Sequence, residues 1–461
     1  MPLPLPGGAS HRPAPRRRRA GGAALVLANV VALLAAPLGL AGLAGPRAEA
    51  ATASCAWTLE ISGDQVNALY PDEAARYWVA LMPIPPGGRA EIKGAFPYAR
   101  YASFNTYTQT TEAIDAIHDA QIRPDRGSRN PFTAGARRDV ARRDYTVAVV
   151  NGPKPGRGVP ANTIYTANGG KTSITTNVAY RIYEPDLGRD LTGDVPLPAV
   201  DVYSADGEKV FAYPACPDVQ LPDLGVTVTL ANAGVETTPG QTLGLPSLGA
   251  PATPVWSKFV NLPTALVDLV TSNDVLNPLN GPLRGPTSSL LPTGGFGENV
   301  DNKYISATTS GDHGSVVLIR GTMPTVVHTR QGQRTMGSGQ LRYWSLCTEN
   351  LLSQYYACVN DDLVPLDAQR RFTIMVSTAA ARPANARTEC GVAWLPSGPL
   401  HQTVLLLRNM LPEPGFRHAI QQVTPGRERE QMGRYYPRTR YLATPADAVR
   451  AVGCHAPASM G

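Results

Sequence analysis

Two stretches of this chain are versions of one another, and that constrains the fold more than any single motif. Residues 77–97 lie over 304–324 without a gap at an offset of 227: Tyr77 meets Tyr304, Ala80 meets Ala307, Ile92 meets Ile319, Gly94 meets Gly321 and Pro97 meets Pro324. Neighbouring residues agree in type, with Arg76 over Lys303 and Lys93 over Arg320, so IKGAFP recurs as IRGTMP. After an insertion in the second copy the offset becomes 242, and RYASFNT (Arg100–Thr106) lies over RYWSLCT (Arg342–Thr348). Sixteen residues beyond each serine, Ser103 or Ser345, stands an aspartate, Asp119 or Asp361, with His118 opposite Asn360. YTVAVV (Tyr145–Val150) then resembles FTIMVS (Phe372–Ser377), and each copy closes on Arg-x-x-x-Pro, Arg181–Pro185 and Arg408–Pro412. A shared order of this length implies a duplicated domain.

The shared pieces are short, β-rich and bounded by Gly or Pro, as sandwich strands are. The 44 glycines and 43 prolines, with only 17% charged residues, disfavour long helices. The expectation is a mainly all-β chain: two tandem β-sandwich or jelly-roll-like domains, 51–216 and 298–461, each of two packed sheets. Residues 217–297 form a Pro/Gly-rich linker. Val226–Leu230 predicts a strand within it, and Trp256, Phe259, Val260, Leu262, Leu266, Leu269 and Val270 predict the apolar face of a short helix. A lid over a pocket is the alternative use of that segment.

The first fifty residues read as a leader rather than as fold. Arg16–Arg19 precede an apolar run from Ala23 to Leu43, and Ala48-Glu49-Ala50 is a small-x-small cleavage site, so secretion with cleavage between Ala50 and Ala51 is expected. The alternative is an uncleaved membrane anchor, the one way this chain would meet a membrane. The formal charge is +6, but residues 1–50 hold six arginines against one glutamate, which leaves the remainder at +1. That balance gives no ground for a nucleic-acid partner.

Six cysteines, an even number in an exported chain, point to disulfides, and none has CxxC metal spacing. Cys347 and Cys358 face Asn105 and Ala116, so both are missing from the first copy together. Cys55 and Cys216 bracket the first copy, which leaves Cys390 for Cys454. Other pairings stay open on spacing alone.

RYWSLCT, the Asn-Asp-x-apolar-Val-Pro run from Asn360, VAWLPSGPL and VLLLRNMLPEP resemble the domain-of-unknown-function 1214 type, which often travels with a 1254-type module. In that type a Trp-Ser strand leads to a Trp-Leu-Pro turn and a closing strand with Arg and Pro. Trp344, Ser345, Trp394, Leu395, Pro396, Arg408 and Pro412 stand at those places here. In the first copy Ala102 replaces the first Trp, and Ile164-Tyr165 stands where Trp-Leu-Pro is expected. The resemblance implies a β-sandwich or jelly-roll-like fold and brings no catalytic residue with it.

The polar residues present in both copies are Tyr77/Tyr304, Arg100/Arg342, Ser103/Ser345, Asp119/Asp361 and Arg181/Arg408. A shared Arg–Asp set reads first as scaffold, because both copies need the same frame. The functional reading is a pocket in which Arg clamps a carboxylate or phosphate, with Arg342, Asp361, Trp394 and Arg408 as its ligand-binding candidates. Catalytic candidates are His118, Asp119, Arg100 and Ser103; His118 leads because its counterpart Asn360 shows that the scaffold does not demand it. Gly311–Ser315 reads as a hairpin turn, and Ser338 lacks the GxSxG setting of a nucleophile. Arg123–Arg143 holds seven arginines and reads as a solvated loop, or as a surface for anionic sugars with Tyr98, Tyr101, Phe104, Tyr107 and Phe132 near it. No HExxH, P-loop or dinucleotide fingerprint is present, so neither metal nor cofactor is expected. The functional expectation is a secreted binding protein for a saccharide, lipid or other cell-envelope ligand. An extracellular hydrolase with its site near His118 and Asp119 is the alternative, and a structural cell-surface component is a third reading.

Overall fold

Strand after strand, the second half of the chain re-uses the pairing plan of the first. The computed structural model describes residues 55–62, 67, 69–108, 112–173, 175–217, 250–259, 297–350, 354–399 and 402–454. The leader with its cleavage site, the strand expected at Val226–Leu230 and the helix expected beyond Phe259 lie outside these residues. The first copy holds β1 (Leu59–Ile61), β2 (Ala75–Leu81), β3 (Arg89–Ala95), β4 (Ala99–Tyr107), β5 (Ala113–His118), β6 (Asp144–Pro153), β7 (Thr163–Asn168), β8 (Lys171–Thr172), β9 (Asn177–Pro185), β10 (Ala199–Tyr203) and β11 (Lys209–Tyr213). The second holds β12 (Ser257–Lys258), β13 (Asn302–Ser310), β14 (Val316–Thr322), β15 (Tyr343–Glu349), β16 (Tyr355–Asn360), β17 (Arg371–Ser377), β18 (Ala393–Pro396), β19 (Gln402–Met410) and β20 (Arg438–Leu442).

The first copy forms two sheets, β1-β2-β9-β4-β5 and β11-β10-β3-β6-β7-β8; the second forms β12-β13-β19-β15-β16 and β18-β17-β14-β20. Equivalent strands occupy equivalent places, and β6 with β7 and β17 with β18 make the same parallel pairing. Gly94 and Gly321 recur for one reason. Each sits opposite an aromatic residue that fills the space a Cβ needs, Tyr145 with its hydroxyl at 2.8 Å and Phe372 with its ring at 2.7 Å.

Alternation along each strand sends one set of side chains between the two sheets of its own copy. In the first copy these include Trp57, Trp78, Phe104, Val147 and Tyr180; in the second, Trp256, Ile305, Trp344, Phe372 and Leu407. The other face of each five-stranded sheet is not solvated. β4 is buried at all nine positions and β15 at all seven, because their second faces meet each other across the copies, around Ala75, Tyr101, Tyr183, Tyr343 and Met410. The chain therefore stacks four sheets, and the middle layer is an interface between the copies.

The insertion of the second copy is a clasp over the first. Val327 and Leu341 close its base, and Val327 and Met336 enter the first copy's core. The N–H groups of Gly135 and Arg138 donate to the carbonyls of Met336 and Arg334, both at 2.8 Å. At the C-terminus the helix Pro445–Val452, capped by Thr444 and Asp447, covers Val316, Leu318 and Met375. Three disulfides join Cys55 to Cys216, Cys347 to Cys358 and Cys390 to Cys454.

Several local expectations give way to the fold. Trp256 and its neighbours are not helical: Ser257–Lys258 pairs with β13 as an edge strand, so the second domain recruits residues from the expected linker. Gly311–Ser315 is not a hairpin, since β13 and β14 belong to different sheets and the turn carries the chain between them. Trp394–Pro396 is not a turn but lies in the parallel edge strand β18.

Candidate functional site

The residues shared by the copies gather in the middle layer, and they pair across it. Arg100 binds Asp361 and Asp362 of the second copy. In return, Arg342 reaches Asp119 of the first copy at 3.1 Å and the Arg100 carbonyl at 3.1 Å. Each aspartate also accepts a backbone N–H in its own copy, Asp119 from Ala102 at 2.7 Å and Asp361 from Trp344 at 2.8 Å. The tyrosines repeat the exchange. Tyr343 donates to Asp72 at 2.8 Å, and Tyr101 donates to Asn299 at 3.2 Å and to Asp301 at 2.7 Å. Asp72 and Asn299 are themselves equivalent at the 227 offset.

Burial dominates the electrostatics of this layer. It pushes the carboxyls of Asp361 and Glu184 upward, with Arg100 pulling both back. Asp362 also feels burial, but the hydrogen bond from His328 and the charge of Arg100 outweigh it and hold that carboxyl below its usual range. His328, Asp361 and Asp362 converge with ligand atoms within 4.8 Å of one another, yet Arg100 already takes both carboxylates. The convergence of Asp72 with Cys347 and Cys358 involves two sulfurs joined to each other.

These contacts relocate the sequence-derived candidates. Ser103 is fully buried and accepts from Asn105 Nδ2 at 3.0 Å; among the described residues no side-chain hydrogen bond joins it to His118. His118 lies opposite Ser103 on the neighbouring strand, with Nδ1 3.7 Å from Asp119 and its ring stacked on Tyr101 at 6.4 Å between centroids. His118, Asp119, Arg100 and Ser103 thus come together, but within the seam between the copies. Arg342, Asp361 and Arg408 lie in the same seam. Trp394 stands apart, donating to Ser377 Oγ at 3.0 Å beneath the Arg382 guanidinium at 4.4 Å.

The arginine-rich stretch is only partly a solvated loop. Arg138 is buried and binds Asp186 at 2.6 Å together with the Ala99 and Gln333 carbonyls, which ties the first copy to the clasp. Arg143 is buried over the Tyr98 ring at 3.7 Å. Phe104 and Phe132 belong to the core, and Tyr101 and Tyr107 to the seam, so those four rings are not a sugar platform. Exposed Ser338 lies in the clasp.

A solvent-open basin of about 600 Å³ lies elsewhere, on the outer face of the second copy. β14, β17 and β20 form its floor, and the segments around Asp367, Cys390 and Arg434 form its walls. Arg320, Arg371, Arg434 and Arg438 surround it, all exposed, against the single carboxylate of Asp367. Arg371 binds that carboxylate at 2.6 Å. Burial opposes ionisation of Asp367, but donors from Arg371 outweigh it and hold the carboxyl below its usual range. Thr322 and Thr373 add hydroxyl groups between the arginines.

The basin belongs to one copy. Strand register puts Asp144 where Arg371 stands, because Ala95 pairs with Asp144 as Thr322 pairs with Arg371. Ala199 stands in the place of Arg438, opposite Lys93 as Arg438 is opposite Arg320. In the first copy Lys93 is neutralised by Asp201 at 2.8 Å and Glu91 at 3.2 Å, whereas Arg440 occupies the place of Asp201 in the second. None of these arginines was a candidate in the sequence. The available signal was the change of sign at Asp144 and Arg371 inside an otherwise matching pair of strands.

No family model matches the chain, and no curated protein matches it. Among solved structures it is similar to an uncharacterised protein from Burkholderia cenocepacia, at 11% identity over 91% of this chain and 88% of that one, with a TM-score of 0.46. A protein from Vibrio parahaemolyticus aligns at 11% identity over 80% of this chain and 89% of that one, with a TM-score of 0.34.

Proposed function

We propose that this is a secreted binding protein that takes a carboxylate- or phosphate-bearing ligand of the cell envelope in the basin of the second copy. The observation that carries the reading is the set of four arginines around one open basin, two of which, Arg371 and Arg438, stand where the first copy has Asp144 and Ala199. Guanidinium groups match carboxylate and phosphate by paired N–H donors, and hydroxyls beside them suit sugar or phosphate oxygens. The seam residues support a binding rather than a catalytic reading, because Asp119 and Arg100 are consumed in holding the copies together and Ser103 is fully buried against Asn105.

Three disulfides fit an oxidising environment, and no helix among the described residues is long and apolar enough to cross a membrane. Secretion by way of the leader ending at Ala50 is part of the proposal, supported by Arg16–Arg19 and the apolar run that follows. Kinship with the domain-of-unknown-function 1214 type belongs to it too, supported by the order Trp344-Ser345, Trp394-Leu395-Pro396 and Arg408 with Pro412.

The test is titration of residues 51–461 against uronate-containing glycans and anionic phospholipid vesicles, with neutral glycans and vesicles as controls. Binding to acidic ligands, weakening with salt, is expected. Arg371→Glu combined with Arg438→Glu should weaken it about tenfold or more, a change of at least ~1.4 kcal/mol. Binding that ignores these changes, or no binding to any acidic ligand, overturns the proposal.

A further inference from the structure

Arg181 and Arg408 hold equivalent places in β9 and β19, and both are buried in the seam, yet two carboxyl groups flank only the second. Arg408 meets Glu349 at 2.9 Å and Asp72 at 3.7 Å, with the Tyr70 carbonyl at 2.9 Å. At the offsets of the repeat, Tyr107 of the first copy takes the place of Glu349, and Asn299 of the second takes the place of Asp72. Arg181 is left with the Gly297 carbonyl at Nη2, with the Tyr107 hydroxyl beside it, and with the rings of Tyr77 and Tyr107 at 5.4 and 5.3 Å. Its Nε and Nη1 atoms are buried without a hydrogen-bond partner, and no carboxylate forms an ion pair with it among the described residues. Ring faces and one carbonyl offset part of a buried cation's lost hydration, but they carry no net charge. N–H donors in such a place are strong anion ligands.

We infer that the seam beside Arg181 is a binding site for a small monovalent anion, a halide or a short carboxylate, held by the guanidinium N–H groups that the fold leaves unused. The second copy fills the equivalent place with a carboxyl group of its own, Glu349. The site is separate from the basin and independent of its ligand.

Crystals of the chain soaked in millimolar bromide, with data collected at the bromine absorption edge, test this directly. An anomalous peak in contact with the Arg181 guanidinium is expected. Tyr107→Glu installs the carboxylate that the other copy has, and should abolish the peak. In solution the melting temperature of the parent should rise as bromide or formate replaces a larger anion at constant ionic strength, and Tyr107→Glu should lose that dependence. The parent crystal alone decides the matter if the variant does not fold. A peak found only at molar bromide, or none beside Arg181, overturns the inference, as does an anion dependence that Tyr107→Glu leaves unchanged.

Discussion

Arg100 of the first copy binds Asp361 of the second, and the residues at the same two places in the opposite copies, Arg342 and Asp119, bind each other in return. The repeated Arg–Asp set is therefore neither an internal brace of each sandwich nor a pocket. It is a reciprocal lock related by an approximate two-fold, which explains why both partners persist in both halves.

Breaking the lock on one side should be costly. Arg100→Met removes the cation that compensates Asp361 and Asp362, and Asp361 is fully enclosed. Stranding a buried charge costs about 3–5 kcal/mol. Urea denaturation should show that loss, and adding Asp361→Asn to the variant should return part of it. A loss below ~1 kcal/mol for Arg100→Met would mean that apolar contacts alone hold the copies together.

The clasp should couple the two copies into one unfolding unit. Met336 belongs to the second copy by sequence but is 2% exposed within the first copy's core. Truncation to alanine should cost about 2–5 kcal/mol, as for other buried large-to-small changes. Amide exchange at Gly135 and Arg138, whose N–H groups donate to the clasp, should accelerate with it. Calorimetry of the parent should give one transition. Unaltered exchange at Gly135 in Met336→Ala would show that the clasp does not bind the copies.

Stability should decline as the medium moves from mildly acidic to mildly basic. Burial pushes the Glu349 carboxyl up to about 8, against the pull of Arg408, and raises Glu184 and Asp361 as well. A carboxyl with a folded pKa above its unfolded value of ~4.3 holds its proton more tightly when folded. Its contribution is complete below ~pH 4 and is lost as pH climbs toward ~8. Exposed acids such as Asp139, held down by Arg137, act in the opposite sense and only at lower pH. The melting temperature should therefore fall from about pH 5 to about pH 8, and Glu349→Gln, which cannot ionise, should flatten the slope. A full slope in that variant would assign it to other groups.

Much of the scaffold could be read from residues alone. The gapless matches around Gly94 and Gly321 marked the same strands in both halves, and the absence of Cys347 and Cys358 from the first copy marked them as partners. What escaped was any feature made of residues far apart. The sequence presents Arg320, Arg371, Arg434 and Arg438 as separate charges, and only the packing of β14, β17 and β20 makes one basin of them. His118 looked free to act because its counterpart is Asn360, yet the fold places both at the seam.

By itself the sequence determined the duplication, the β-rich class and the strands, because alternation, turn residues and repeat spacing are local properties. Tertiary structure alone decided that the five-stranded sheets face each other, that arginine and aspartate pair across copies, and that the Arg181 guanidinium meets no carboxylate among the described residues. Complementarity between two faces depends on which surfaces meet, and no periodicity within a strand records its partner.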